Sequence, residues 1–438
     1  MTMKPETKKI YLDYAATTPI DGAVFRAMKP YFMEKFGNPG SLHSFGQEAI
    51  AAVDRSRETI AKAIGADFRE IIFTSSATEA NNLALRGTVR RFWAEIMEKY
   101  GKQLPAGIKT PHIITTAIEH ESILETLRDM EARGAARVDV LPVNHEGRID
   151  PASIKQRLSE ETVLVSMMYA NNEIGVIEPV KEIAAIVKSF RGKEKFPLVH
   201  TDAAQAFQYL DCGVRGLGID LMTLSAHKIY GPKGVGALFI RNREQETRNK
   251  EGKSLFHVSG SLSPLLTGGG QEFGLRSGTE NVPAIVGFAK AVELLFSNSQ
   301  ELENKKIAAL RERLWKGIQK ACPGAELNGI SGEGIQNPKS KIQNPFLPNI
   351  LNVYFRGNPA QDLLTKFDLN GLAVSSGSAC RSRALESSYV IEALSQGQGT
   401  GNKKQGRERA HSSLRFSLGR PTTKQEIDAA LQIIKRAL

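Results

Sequence analysis

Apolar runs of four to seven residues recur along the chain, and each closes on polar or small residues. The runs at 70–74, 112–116, 162–168, 197–200 (with Asp202 just beyond), 221–224 and 237–240 read as strands. Between them lie stretches whose apolar residues repeat at helical spacing. The clearest is 43–64, where Ala49, Ile50, Val53, Ile60 and Ile64 share a face. Helices are also expected over 21–31, from the 75–82 segment through Arg86 and beyond, over 183–190, and as a short piece over 203–210. Strand and helix alternate throughout this part, which predicts an open, mostly parallel α/β sheet. A short strand running into a loop opens the chain at 9–19. A long helical region, 283–319, then leads into further elements: strands at 350–355, around Ala373 and at 414–418, and helices at 361–367 and 422–438. Residues 93–109, 242–265, 332–345 and 396–409 read as surface extensions or loops. The third repeats Ile-Gln-Asn-Pro, and the last, rich in Gly, Gln and Lys, is expected to be mobile.

An open α/β sheet gathers its chemistry beyond the carboxyl ends of its strands. The stretch from Thr201 to Gly236 has that form. One strand ends on Asp202; the next ends on Ser225-Ala226-His227-Lys228 and meets a turn containing Gly231, Gly234 and Gly236. A lysine in that setting suits a Schiff base with pyridoxal phosphate, and an aspartate opposite it suits the protonated pyridine nitrogen. Ser75-Ser76-Ala77-Thr78, between a strand and a helix, is either a plain N-cap or an anion site. His120 follows a strand and is either a satisfied polar group or a group that stacks on a ring or moves a proton. Asn171-Asn172 suits a turn, and equally a hydrogen-bond donor to a phenolic oxygen. Arg415 alternates with apolar neighbours; its fork fits a carboxylate if it is not a surface residue.

The chain has 438 residues, above the size at which one core keeps growing, so two domains are expected. Its hydrophobic share of 41% and charged share of 24% are ordinary for a soluble enzyme. The net charge of +11 is either a dispersed basic surface or a face for acidic proteins. No aromatic-interleaved basic patch or zinc-finger spacing points to nucleic acid. Three scattered cysteines, Cys212, Cys322 and Cys380, without a CxxC pair, argue against a disulfide framework and a structural zinc site and suggest a reducing, cytoplasmic setting. No apolar run approaches membrane-spanning length, and the polar first nine residues do not read as a signal peptide. Cys380 sits among Ser and Gly without core periodicity, which leaves both a reactive and an inert thiol open. For Cys212 and Cys322 a structural reading suffices.

The motifs YLDYAATTP, FTSSATEANN, EHES, NNEIG, HTDAAQ, SAHKIYGPKGVGALF, LRSGTEN, SSGSAC and HSSLRFSLGR together resemble the cysteine desulfurases of the NifS/IscS type, in the class V aminotransferase family. The resemblance runs from Tyr11 to the C-terminal helix. It implies a fold type I pyridoxal-phosphate-dependent transferase. A large cofactor domain over 17–285 would hold a mostly parallel seven-stranded sheet. A smaller α+β domain, from 1–16 and 286–438, would carry the cysteine loop. Lys228 would hold pyridoxal 5'-phosphate, Asp202 would keep its ring nitrogen protonated, and His120 would stack on the ring. Gln205 and Asn172 would contact the phenolic oxygen and the substrate side. Ala77, Thr78, Ser225 and His227 would hold the phosphate, with Thr279 arriving from the second subunit of a homodimer. Arg415 would bind the carboxylate of L-cysteine. Cys380 would take the sulfur as a persulfide, release L-alanine, and pass the sulfur to protein acceptors such as an iron–sulfur scaffold.

Two departures bear on the acceptor rather than the chemistry. Arg381 and Arg383 follow the thiol closely and are expected to favour its thiolate. The stretches 242–265, 332–345 and 396–409 look inserted. A selenocysteine lyase on the same scaffold is the near rival. A cofactor-bound scaffold for acceptor proteins, without turnover, is the distant one; the intact Lys228 and Cys380 argue against it. A plain aminotransferase would not need the SSGSAC thiol. No resident metal is implied, and whether Cys380 also ligates a cluster transiently stays open.

Overall fold

The computed structural model describes residues 9–101, 109–242, 260–297, 300–329, 345–377, 387–396 and 403–438. The strands are β1 (Ile10–Tyr11), β2 (Ile71–Thr74), β3 (His112–Thr116), β4 (Arg137–Leu141), β5 (Thr162–Met168), β6 (Leu198–Asp202), β7 (Leu221–Ser225), β8 (Gly236–Ile240), β9 (Ala325–Leu327), β10 (Ile350–Phe355), β11 (Leu372–Ala373) and β12 (Ser413–Ser417). The helices up to the end of the large sheet are α1 (Gly22–Met28), α2 (Pro30–Met33), α3 (Ser44–Ile64), α4 (Ala77–Tyr100), α5 (Glu121–Ala132), α6 (Pro151–Arg157), α7 (Val180–Arg191) and α8 (Val214–Leu217). Beyond it come α9 (Val282–Ser297), α10 (Gln300–Ala321), α11 (Ala360–Leu369), α12 (Tyr389–Gln396), α13 (Lys403–His411) and α14 (Lys424–Ala437).

Seven strands form one sheet in the order β2-β8-β7-β6-β5-β3-β4. Every pairing is parallel except those of β8, which runs antiparallel to both β2 and β7. Six strands therefore point one way and leave the sheet at one edge, where β8 begins. Alternate side chains enter cores on opposite faces. Met222 and Leu224 join α3, α7 and α9 on one side. Leu221 joins α4 and α5 on the other. Both faces are covered, which is why these strands read as continuous apolar runs.

A smaller antiparallel sheet, β12-β10-β9, packs with α10, α11 and α14 in the same core as the first face. The N-terminal strand β1 pairs in parallel with β11, Ile10 opposite Leu372, so the start of the chain lies beside the smaller sheet. An isolated bridge from Asp13 to Ser417 continues that contact.

Several expectations need correction. Residues 203–210 are not a helix but consecutive turns, with Phe207 N bonded to Ala203 O and Leu210 N to Ala206 O; the helix of this crossover is the four-residue α8. The Asp202 carboxylate accepts the N–H of Ala204 at the start of these turns. Helix α4 continues to Tyr100, through a region expected to be a surface extension. The 283–319 region is two helices, α9 and α10. Residues 403–411, expected to be mobile, form α13. Its Lys, Gln, Arg, Glu and Ala are good helix formers. Arg409 ties it to Asn328 Oδ1 at 2.5 Å, Glu326 Oε2 at 2.7 Å and the carbonyl of Leu327 at 2.8 Å. The central part of 242–265, nearly all of 332–345, and 397–402 lie outside the described residues.

Candidate active site

The strands that point one way deliver their terminal residues to one edge of the sheet. There Ala15, Ala16, Ser76, Ala77, Thr78, His120, Ser122, Met168, Ala170, Asn172, Asp202, Ala204, Gln205, Ser225, His227, Lys228 and Arg415 line a cavity of about 190 Å³. Ala77, Thr78, His120, Asn172, Asp202, Gln205, Ser225, His227, Lys228 and Arg415 were expected from sequence, and they converge on this one space.

Lys228 closes a single 3₁₀ turn, Ala226–Lys228, directly after β7. Two residues on, Tyr230 takes a left-handed conformation (φ 67°), costly for a residue with a Cβ. Its N–H is held by Thr18 Oγ1 at 2.8 Å, and Thr18 Oγ1 donates to the carbonyl of His227 at 3.0 Å. The N-terminal segment thus clamps the lysine turn. The Lys228 amine donates to the carbonyls of Ala15 (2.5 Å) and Ala16 (2.9 Å). Gln205 Nε2 also donates to Ala15 O, at 2.8 Å. Burial, with Lys228 and Lys233 nearby, pushes the His227 imidazole down to about 3, so it is neutral at physiological pH.

Asp202 ends β6. Its Oδ1 accepts the N–H of Ala204 at 2.9 Å and its Oδ2 accepts from Asn81 Nδ2 at 2.8 Å. The same Asn81 amide donates to Ser122 Oγ at 2.8 Å. Ser122 Oγ lies 2.9 Å from His120 Nδ1, which also accepts the N–H of Ser122 at 3.1 Å. Burial lowers the His120 pKa, with the Lys228 charge acting the same way; Asp202 and Glu121 oppose.

Helix α4 starts at the cavity. Ser76 caps it by accepting the N–H of Glu79 at 3.2 Å, and the first-turn N–H groups of a helix have no partner inside the helix. A Cβ on Gly236 would lie 2.8 Å from the carbonyl carbon of Ser76 and 3.0 Å from the nitrogen of Ala77. Only glycine lets the helix start approach the sheet this closely. Beside it, the buried hydroxyl of Ser225 has no hydrogen-bond partner.

Arg415 comes from β12 of the smaller sheet and is 1% exposed. Its Nη1 donates to the carbonyl of Asn172 at 2.8 Å and its Nη2 to Asp13 Oδ1 at 2.7 Å, while Nε is buried without a partner. A helix N-terminus and a guanidinium at the cavity wall suit anionic occupants.

Thr279 is exposed and does not line the cavity of this chain. It follows Arg276, whose Nε bonds Glu79 Oε1 at 2.8 Å in the first turn of α4. Cys380, with Arg381 and Arg383, lies outside the described residues. Asn81, Ser122 and Asp13 were not expected as site residues. The available signal was polar side chains in the opening turns of two helices that start at the cavity edge, and an aspartate in the segment beside the lysine.

An open α/β sheet with a strand-end lysine, an aspartate and a helix N-terminus around one cavity is the architecture of the fold type I pyridoxal-phosphate-dependent transferases. The family model for class-V aminotransferases matches residues 10–430. The cysteine desulfurase IscS of Dictyoglomus turgidum is 40% identical over 432 residues, covering 98% of this chain and 95% of the relative. A solved NifS-like protein superposes with a TM-score of 0.78 at 33% identity, covering 98% of each chain. The structure of SspA in complex with cysteine superposes with a TM-score of 0.70 at 30% identity, covering 93% of this chain and 98% of that one. The chain belongs to the class-V aminotransferase family, in its cysteine desulfurase branch.

Proposed function

We propose that this chain removes sulfur from L-cysteine, forming L-alanine and a persulfide on Cys380, with pyridoxal 5'-phosphate held at Lys228. The observation that carries the reading is the convergence of Lys228, Asp202, His120 and Arg415, from four separate parts of the chain, on one cavity.

The cavity fits the cofactor. The N-terminus of α4 at Ala77 and Thr78, the unmatched Ser225 hydroxyl and neutral His227 suit its phosphate, and the fixed Asp202 carboxylate suits its ring nitrogen. When bound, pyridoxal phosphate supplies a carbon for the substrate amine and a ring that takes up the electron pair left at Cα. Arg415, in the cavity wall and set by the Asn172 carbonyl and Asp13, orients the substrate through its carboxylate. Asn172 and Gln205 face the same space. The Lys228 amine, held beside the Ala15 and Ala16 carbonyls, takes the Cα proton. The Cys380 thiolate then attacks the substrate sulfur: the C–S bond breaks, an S–S bond forms, and carbon gains the hydrogen that sulfur loses. Substrate and enzyme thiol together balance alanine and enzyme persulfide. Thr279, exposed on its own chain, suits a contribution to the phosphate site of a second copy in a homodimer. Protein sulfur acceptors, such as an iron–sulfur scaffold, would take the persulfide. We read the chain as a large domain over 17–285, containing the seven-stranded sheet, and a smaller one from 1–16 and 286–438, containing β12-β10-β9.

The test is purified protein with L-cysteine and a reductant. Equal amounts of alanine and sulfide are expected, with sulfide abolished in Cys380→Ala. Alanine without sulfide, or sulfide at full rate from that variant, would overturn the assignment.

A further inference from the structure

We propose that Ser122 and Asn81 are positioning residues that lock His120 as the neutral Nε2–H tautomer, making it a fixed hydrogen-bond donor rather than a carrier of protons. The inference rests on the reading that His120 faces the cofactor and substrate in this cavity.

The argument follows the hydrogens. The Asp202 carboxylate only accepts, so the group facing its Oδ2 at 2.8 Å must be the NH₂ of Asn81. The other hydrogen of that NH₂ points to Ser122 Oγ at 2.8 Å. Ser122 Oγ is thereby an acceptor from Asn81, and its own hydrogen goes to His120 Nδ1 at 2.9 Å. His120 Nδ1 receives a second hydrogen bond from the N–H of Ser122. The hydroxyl could turn round, but the backbone N–H cannot. His120 is the N-cap of α5, so this contact is part of how the helix begins.

Two donors aimed at Nδ1 leave no place for a proton on it. The neutral ring must carry its proton on Nε2, and the imidazolium would force N–H against N–H. Asn81 is fully buried and Ser122 nearly so, so water does not relieve the conflict. Burial of the imidazole and the Lys228 charge push the same way; the carboxylates of Asp202 and Glu121 oppose. A neutral imidazole gives up its last proton too reluctantly to act as a general acid, and Nε2 has no free lone pair to act as a base. His120 is left to stack and to donate one hydrogen bond. Proton transfer at Cα falls to Lys228. The same Asn81 amide holds Asp202, so one side chain sets both the ring-nitrogen partner and the histidine tautomer.

The test uses the holoenzyme with ¹⁵N-labelled histidine, the His120 signals being assigned by their loss in His120→Gln. The expected result is an unprotonated Nδ1 and a protonated Nε2, unchanged from pH 6 to 9. A protonated Nδ1, or an imidazolium within that range, would overturn the proposal. Ser122→Ala removes one donor and should move the Nδ1 resonance toward that of a free lone pair. It should also raise the imidazole pKa, and Ser122→Thr should restore both. An unaltered Nδ1 resonance in Ser122→Ala would remove the hydroxyl from the lock. If that variant does not fold, the wild-type tautomer still decides. Alanine formation is followed on the same samples, so failure of the desulfurase reading is seen separately from failure of the tautomer.

Discussion

Arg415→Lys separates a substrate anchor from a structural arginine. In the native chain one Arg415 nitrogen serves the carbonyl of Asn172 and one serves Asp13, and the side chain forms part of the cavity wall. A lysine brings one charged centre with no planar fork. It can stay with Asp13 or turn to the substrate carboxylate, but it cannot hold both in the arginine geometry. A hydrogen bond to a charged group contributes about 1.5–3 kcal/mol, so kcat/KM for L-cysteine should fall about 10- to 150-fold. The loss should appear mainly as a raised KM, because carboxylate binding is shared by ground state and transition state. The freed carbonyl of Asn172, within the buried part of the site, adds about 1–3 kcal/mol of lost stability. The assay is alanine formation against cysteine concentration, with a thermal melt and a visible cofactor spectrum on the same protein. An unchanged KM in a folded, cofactor-loaded variant would refute the role.

Other substitutions test other parts of the account. Gly236→Ala would drive a Cβ against Ser76 and Ala77, and the purified protein should retain cofactor at least about ten-fold more weakly; equal retention by absorbance titration would show that the close approach of α4 is not needed. His200 is fully buried between Ser166 Oγ and Thr223 Oγ1, and burial lowers its pKa to about 4. The unfolded chain therefore binds the proton first as pH falls. Stability is complete above the unfolded value near 6.5 and declines from there toward pH 4, by up to about 3 kcal/mol. His200→Gln should flatten the melting temperature over that range, and an unaltered acid slope would contradict this. Glu178 has the opposite sign: burial raises its carboxyl to about 7, so the native state binds the extra proton and stability drops as pH rises from about 4.5 to 7. Glu178→Gln should remove that drop, as read from melts at pH 5 and 8.

The chemistry was legible in the sequence where it sat at strand ends. Asp202 and Lys228 each follow an apolar run, and the sheet's parallel order turns that pattern into proximity. The relay behind them was not legible. Asn81 meets Asp202 across 121 positions of sequence, and its role exists only because α4 packs over β6. Arg415 was legible as a fork on a strand, but its pairing with Asp13 required β1 to lie beside the smaller sheet. Strand β4 was missed because an edge strand is half exposed and shows no continuous apolar run. The 203–210 stretch has helical composition yet forms turns, with Gln205 Nε2 donating to the carbonyl of Ala15 at the cavity.

The most direct test of the central claim is borohydride reduction of the purified, coloured protein, followed by peptide mapping. The account expects one pyridoxyl adduct per chain, on Lys228, with the colour absent from Lys228→Ala. An adduct on another lysine, or a chain that takes up no pyridoxal phosphate, would contradict it.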